Sequence, residues 1–468
     1  MTQYFFDVTD LRKYLSHHTQ LSGIQRVSVM TIARARQLLG AENVWFSYHD
    51  RKTNKYWTCP CPADPNTDLT QHGVLSTALN VEPSLRGLPG MAKYSRNPFK
   101  VWFHTRALDL RAKLGDRRAF QRYGTDLQTW RDARTTFKAL KKSEHRLEEF
   151  KSVARSGDQL VLLDNAWQPK GLEQWLSYAK HDMGLDVTVL LHDLIPLVNP
   201  QYTTSSVSDR FRDWINMSTG FVTRYLANSE STAADLRAFL KSVDAVHDVG
   251  IVPLAQAPVI HSDKRRSVEH DQAWKEPAGS VPDYIQALTK TPFVLVVGTM
   301  EIRKNLWQLA TVWDRLRKRP GHDLPKLVFA GRRGWLNDDF ENLMKATGQL
   351  GGWVEIVNAP SDDVLSYLYQ NCLFTVTASF YEGWGLPIGE SLGYGKTAVV
   401  SRTSSMPEVG GDMVEYCDPH SLGSIEAACL RLIDDPQHRA ELEEKIAKAQ
   451  LRSWDEVAQD MLKAIRAS

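Results

Sequence analysis

Ten short apolar runs, each closed by a turn or a helix-like stretch, constrain this chain more than any other feature. They fall in two sets. The first holds YFFDV, NVWFSY, QLVLLD, VTVLLHD and GFVTRYLANS; the second, after the Pro-bearing punctuation of Ile251 to Pro258, holds FVLVVGT, KLVFAG, WVEIVN, LFTVTAS and TAVVS. Their apolar residues are continuous instead of alternating, the mark of strands buried on both faces in a parallel sheet covered by helices. Two such sets imply two α/β halves, and 468 residues exceed what one ordinary core holds.

The join between the halves is expected at Gln256 to Thr291, a charged, breaker-rich stretch read as a linker with one short helix. From Gln437 the pattern is helical to the end, with apolar residues spaced by three and four. A hydrophobic content of 42% and a charged content of 24% fit a soluble globular protein. No window reaches the roughly 18 uninterrupted apolar residues of a membrane span. The N-terminus lacks the basic end and apolar run of a secretory signal, so the cytoplasm is the expected location. Five cysteines without a regular framework argue against a disulfide scaffold, and Cys59 and Cys61 read as two loop thiols or, with no partner pair downstream, as half of a metal site. Net charge is only +2, yet Lys93 to Arg155 holds 17 basic and 7 acidic residues, so the remainder of the chain is net acidic. That basic island suits an anionic bilayer, by way of Phe99, Trp102, Phe103, Leu108, Leu110 and Leu114 among its cations, or simply the solvated face of helices. No nucleic-acid recognition motif accompanies it.

In open parallel sheets ligands bind beyond the carboxyl ends of strands, where strand order reverses. Residues directly after the apolar runs are therefore the candidates. SFYEGWGLPIGES, Ser379 to Ser391, follows LFTVTAS and carries Glu382 and Glu390, separated by seven residues that include three glycines and a proline. Pro387 suits the first turn of a helix and places Glu390 about one turn in; Gly383 and Gly385 admit a ligand close to the backbone, and the helix start at Leu386 attracts an anion. Each carboxylate can clasp a vicinal diol, or serve only the helix dipole. In VGTMEIRKN, Arg303 and Lys304 come a few residues after a strand, where cations can neutralise a phosphate leaving group or merely face solvent. His192 and Asp193 end VTVLLHD, where a His can meet a sugar hydroxyl or be a capping residue, and an Asp can form a turn. Ser22 and Gly23 precede an amphipathic segment, and Gly23 would let a helix start touch a phosphate.

FYEGWGLPIGESLGYGKTAVVSRTSSMPEVGGD resembles the donor-site signature of family 4 retaining glycosyltransferases of GT-B fold, bacterial O-antigen or capsule type, with GTMEIRKN and LVFAGRRGW matching upstream segments over Phe293 to Trp454. The resemblance continues more weakly through LLHDLIPL, RYLANSESTAADL and IVPLAQAP. It implies an α/β GT-B fold of two facing Rossmann-like domains with parallel sheets: residues 1–255 on the acceptor side, with a basic helical insertion over 53–155; a linker, 256–291; a nucleotide-sugar-binding domain, 292–450; and a crossover helix, 451–468, packing on the first domain. It implies further that Glu390 binds the donor ribose, that Glu382 lies by the transferred sugar, that Arg303 and Lys304 hold the diphosphate with Gly23 opposite, and that His192 faces the sugar. Gly385 and Leu386 belong to the same donor-binding set, and Glu382, Lys304, Arg303 and His192 to the catalytic one. Ile302 and Thr397 stand where the family usually has proline, a change in loop stiffness that removes no ligand group.

The activity so implied is transfer of a hexosyl unit from a nucleotide diphosphate sugar, GDP-mannose or another GDP-, UDP- or dTDP-sugar, to a hydroxyl of a glycan or lipid-linked acceptor. The anomeric configuration is retained, in surface polysaccharide assembly. No metal or other cofactor is expected, nor a nucleic-acid partner; peripheral association with the cytoplasmic face of the inner membrane is. A GT-B sugar-nucleotide epimerase, which would need acid and base groups around the sugar in place of an acceptor channel, and an inactive carbohydrate-binding scaffold are the alternatives.

Overall fold

The computed structural model describes residues 2–466 except 17, 19, 20, 22, 52, 65, 66, 82–84, 86, 87, 92, 93, 95, 96, 122, 124, 143–146, 168, 170, 257–280 and 320–322. Most of the expected linker thus lies outside the described residues; within its last part a short helix, Asp283–Leu288, precedes the next strand. The chain forms two compact units, one of Met1–Leu190, Met217–Arg224 and Ile465–Ser468, the other of Leu191–Asn216 and Tyr225–Ala464.

In the first unit β1 (Tyr4–Asp7), β2 (Val44–Asp50), β3 (Lys55–Pro60), β4 (Glu148–Glu149), β5 (Gln159–Leu162) and β6 (Asp186–Leu191) run in the order β4-β3-β2-β1-β5-β6. β1 pairs in parallel with β2 on one side and β5 on the other, so strand order reverses between β1 and β5. β3 returns antiparallel to β2. The expected helical insertion over 53–155 therefore also carries β3 near its start and β4 near its end; between them it is helical, with Pro98–Lys113 and Leu127–Lys142 as its long helices, and a short helix, Phe150–Val153, follows β4. Those helices bring their own small core, centred on Val101, Leu108, Phe120 and Trp130. Cys59, expected in a loop, lies on β3, and both it and Cys61 are buried free thiols; burial pushes Cys59 up to about 11 and Cys61 to about 12.

The second unit contains β7 (Arg224–Ala227, apart from its first residue) and β8 (Asp248–Ile251), and a six-stranded sheet of β9 (Phe293–Val297), β10 (Lys326–Gly331), β11 (Val354–Asn358), β12 (Thr375–Thr377), β13 (Ala398–Ser401) and β14 (Glu415–Cys417). Its order is β11-β10-β9-β12-β13-β14, and its pairings are all parallel. Strand order reverses between β9 and β12. Along β9 the two-sided burial is explicit: Val294 and Val296 join the core under helix Leu306–Leu316, whereas Phe293 and Leu295 join the opposite core under helix Asp362–Asn371. Each such side chain contributes about 1.5–3 kcal/mol by leaving water. This two-faced burial explains why the run reads FVLVV without alternation. The last helix, Trp454–Arg466, ends in the first unit, where Ile465 O accepts from Arg224 Nη1 at 2.8 Å and Arg466 Nε donates to the Tyr4 hydroxyl at 3.1 Å.

Candidate active site

The reversal between β9 and β12 gathers the charged candidates. After β9 a short 3-10 turn, Ile302–Lys304, presents Arg303 and Lys304. Asn305 ends it in the left-handed region at φ 60°, and its side-chain amide donates to Ala378 O at 3.1 Å and Pro419 O at 2.9 Å. After β12 the chain is irregular from Ala378 until a helix begins at Leu386. Its carbonyls are held by side chains: Phe380 O by Thr403, Tyr381 O by Arg303, Glu382 O and Trp384 O by Ser405, and Gly383 O by Ser229 and Thr232. Irregular backbone survives burial only when its polar groups are paired in this way.

Glu382 is buried and takes both cations: Lys304 Nζ donates to Oε1 at 2.6 Å and Arg303 Nη1 lies 2.5 Å from Oε2. Burial on its own would raise this carboxyl; Arg303, Lys304 and the Ser379 hydroxyl outweigh it and hold the group at about 2. Arg303 also donates to buried Glu301 at 2.5 Å, and its charged form is favoured by Glu382, Glu301 and Asp193 against the effect of burial. Glu301 and Asp193 themselves are raised, by burial first, with Arg303 pulling both down and Glu382 pushing both up. Arg303, Lys304 and Glu382, offered by the sequence as separate candidates, are therefore one interlocked cluster.

Glu390 stands apart from that cluster, in the helix Leu386–Gly393 with Pro387 in its first turn, and its Oε2 accepts from the buried Tyr369 hydroxyl at 2.8 Å. Gly385 caps this helix at φ 101°, a left-handed conformation that favours glycine, and Leu386 is its first residue. Gly389 packs on Gln256, whose Cα lies 2.9 Å from where a Cβ would stand. His192 meets the cluster through its backbone: its carbonyl accepts from Asn228 Nδ2 at 2.9 Å and lies only 1.8 Å from the place of a Cβ on Gly383. Asp193 accepts from Ile195 N at 3.0 Å, the turn role the sequence allowed. Gly23 belongs to the first unit, exposed as the first residue of helix Gly23–Leu39. Sequence reasoning missed Tyr369, Tyr381 and Asp235; the Tyr381 hydroxyl donates to Asp235 Oδ2 at 2.6 Å. Tyr381 adjoins Glu382 in the quoted motif and was findable there; Tyr369 carries no local signal.

The first unit holds a second buried cluster that the sequence did not flag. At the reversal between β1 and β5, Asp7 accepts from the Tyr56 and Thr9 hydroxyls, Asp10 from Gln25 and Asn165, and Asp164 from Leu11 N at 3.1 Å. Burial lifts all three, Asp7 to about 6 and Asp164 well beyond the carboxylate range. Among the described residues no group of three or more His, Cys, Asp or Glu side chains is gathered to hold a metal ion.

Residues 284–449 match the model of the family described as Glycosyl transferases group 1. The O-antigen chain mannosyltransferase B of Escherichia coli is 34% identical over 175 residues, 37% of this chain and 45% of that protein. The serotype-specific mannosyltransferase WbdA of Escherichia coli is 29% identical over 208 residues, 43% of this chain and 24% of that protein. The chain thus spans less than half the length of these curated relatives. Anabaena HepE, solved in complex with UDP and glucose, superposes with a TM-score of 0.58 at 11% identity over 100% of both chains, a likeness of fold. With two largely parallel sheets and this likeness of fold the architecture is GT-B, and the segment that matches the group 1 glycosyl transferase family, 284–449, carries the Glu382–Arg303–Lys304 cluster.

Proposed function

We propose that this protein is a retaining glycosyltransferase that moves a hexose, mannose from GDP-mannose in the reading its relatives favour, to a hydroxyl of a glycan or lipid-linked acceptor in surface polysaccharide assembly at the cytoplasmic side of the membrane. The observation that carries this reading is a buried carboxylate holding two adjacent cations at the switch point of the sheet in the group 1 segment. In this account residues 292–450 bind the nucleotide sugar and residues 1–255 the acceptor, with 256–291 as linker and 451–468 crossing back.

Glu390 clasps the ribose, while Gly385 and Leu386 let the diphosphate approach the helix start. Arg303 and Lys304 hold the diphosphate, Gly23 touches it, and His192 faces the sugar. Held at about 2, Glu382 is ionised at neutral pH, so beside the transferred sugar it accepts hydroxyl hydrogen bonds and does not donate a proton. The bond from the anomeric carbon to the β-phosphate oxygen breaks as the acceptor oxygen bonds on the same face, and the acceptor's proton passes to the departing phosphate. Arg303 and Lys304 stabilise the charge that grows on that phosphate.

A thermal-shift panel of GDP-, UDP- and dTDP-sugars identifies the donor, since a bound donor stabilises by mass action. With that donor, Lys304→Ala should lose about a hundredfold or more in turnover. A folded Lys304→Ala protein that keeps half its activity would sink the reading.

A further inference from the structure

The helix Pro98–Lys113 is apolar on two opposite sides. Val101, Thr105, Leu108 and Ala112 point inward, with the three apolar members among them in the insertion's own core. Phe99, Trp102, Phe103, Leu110 and the C-capping Leu114 are exposed by 71%, 48%, 55%, 60% and 75%. At 3.6 residues per turn these five fall within about 120° of the helix circumference. Arg106 and Lys113 lie in the same arc, Lys100 and Arg111 flank it, and all four are exposed. The helix has one carboxylate, Asp109, and it is spent on Arg134, which donates to it twice at 2.8 Å, and on Trp130 Nε1 at 3.2 Å. The outward stripe therefore combines large apolar side chains with cations and carries no acid. Arg117 and Arg118 extend the exposed charge into the next helix.

We propose that this stripe is a docking face for an anionic lipid bilayer, on which the helix lies parallel to the surface with its aromatic and leucine side chains among the acyl chains and its cations at the headgroups. This goes beyond the transfer reaction and does not depend on it. Charge complementarity selects the occupant. A second copy of the chain meeting this face symmetrically would set Arg106 and Lys113 against their own images, whereas anionic headgroups neutralise them and the interior takes the five apolar side chains. Among the described residues no helix is long and apolar enough to cross a membrane, so this attachment is peripheral.

The full chain should co-sediment with vesicles of phosphatidylcholine and phosphatidylglycerol at low salt, far less with phosphatidylcholine alone, and be released as salt rises to about 0.5 M. Each cation contributes about fivefold to such partitioning, so Lys100→Gln, Arg106→Gln and Lys113→Gln together should lower it about a hundredfold. Phe103→Ser with Leu110→Ser should lower it about tenfold or more, since less apolar surface leaves water. All five positions are exposed, so the thermal midpoint of each variant should match wild type; if the serine variant misfolds, the glutamine variant decides. Absence of binding at low salt, equal binding to both vesicles, or binding that both variants leave unchanged would overturn the proposal. So would a dimer in the ultracentrifuge that the serine variant dissolves, since the face would then belong to a second copy.

Discussion

At the reversal between β1 and β5, Asp7, Asp10 and Asp164 are buried with hydrogen bonds from neutral groups, and a cation, Lys13, acts on Asp10 alone. At the reversal between β9 and β12, Glu382 is as deeply buried but faces Arg303 and Lys304. The two sheets thus place carboxyls at equivalent topological points and tune them in opposite directions, Asp7 up to about 6 and Glu382 down to about 2. Burial works the same way in both; at Glu382 two facing cations and a hydroxyl outweigh it, whereas the hydrogen bonds at Asp7 do not. A charge-bearing carboxylate and a proton-holding one can therefore arise from the same architecture.

The comparison breaks most severely if the cation is removed. Arg303→Met leaves buried Glu382 and Glu301 with one cation fewer and should cost about 3–5 kcal/mol of stability, measured by denaturant unfolding at neutral pH; a loss too small to detect would mean the cluster is wetter than its burial indicates. Glu382→Gln should cost about 2 kcal/mol at pH 7. Because the folded carboxyl sits at about 2 against an ordinary 4.5, its contribution is complete above 4.5 and lost as pH falls toward 2. The variant's deficit should close over that window. A deficit independent of pH would place its cause in packing.

Asp7→Asn tests the opposite sign. The folded group titrates near 6 against an ordinary 3.8, so the folded state keeps a proton that the unfolded chain has lost, and wild-type stability falls as pH rises through that interval. Asparagine keeps an acceptor for the Tyr56 and Thr9 hydroxyls but not for Thr9 N, which Oδ1 accepts in the wild type. Its stability relative to wild type should therefore rise by on the order of 1 kcal/mol or more between pH about 4 and pH about 6. Thermal melts across pH would show it, and a difference that stays constant over that interval would refute it. Tyr369→Phe sharpens the contrast with a third case, a carboxylate held by a neutral phenol. Nucleotide affinity should fall by about 0.5–1.5 kcal/mol, read by calorimetry, and an unchanged affinity would detach Tyr369 from the donor site.

All ten apolar runs became strands or flanked one, since burial on both faces leaves an uninterrupted signature. β3, β4, β8 and β14 carry no such run. KYWTCP pairs antiparallel on both sides, next to the edge, and its ends are exposed, so it lacks that signature; Glu148–Glu149 is a two-residue edge strand of acids, and Asp248–Ile251 and Glu415–Cys417 are not buried throughout. Arg303, Lys304 and Glu382 were legible as candidates because each follows a strand, but their mutual pairing was not, for it joins residues 78 apart in sequence. Asp7 and Asp164 also end or follow strands, inside quoted runs; one acid per run gives no motif, and only the β1–β5 pairing assembles them. The docking helix concealed itself differently. Its inward and outward apolar sides oppose each other, so a search for a single apolar face finds none.

The tethered carbonyls between Ala378 and Trp384 turn that loop into a fixed measure. Side chains from three segments, 229–232, 303–305 and 403–405, grip it, and Gly383 and Gly389 press on His192 and Gln256 with no space for a Cβ. The interval from Glu382 to Glu390 is set like the jaws of a caliper: one residue added or removed within it would shift Gly389 off Gln256 while the grips before Gly383 stay in place. Substitution within the interval is open at some positions, but its length is closed to drift.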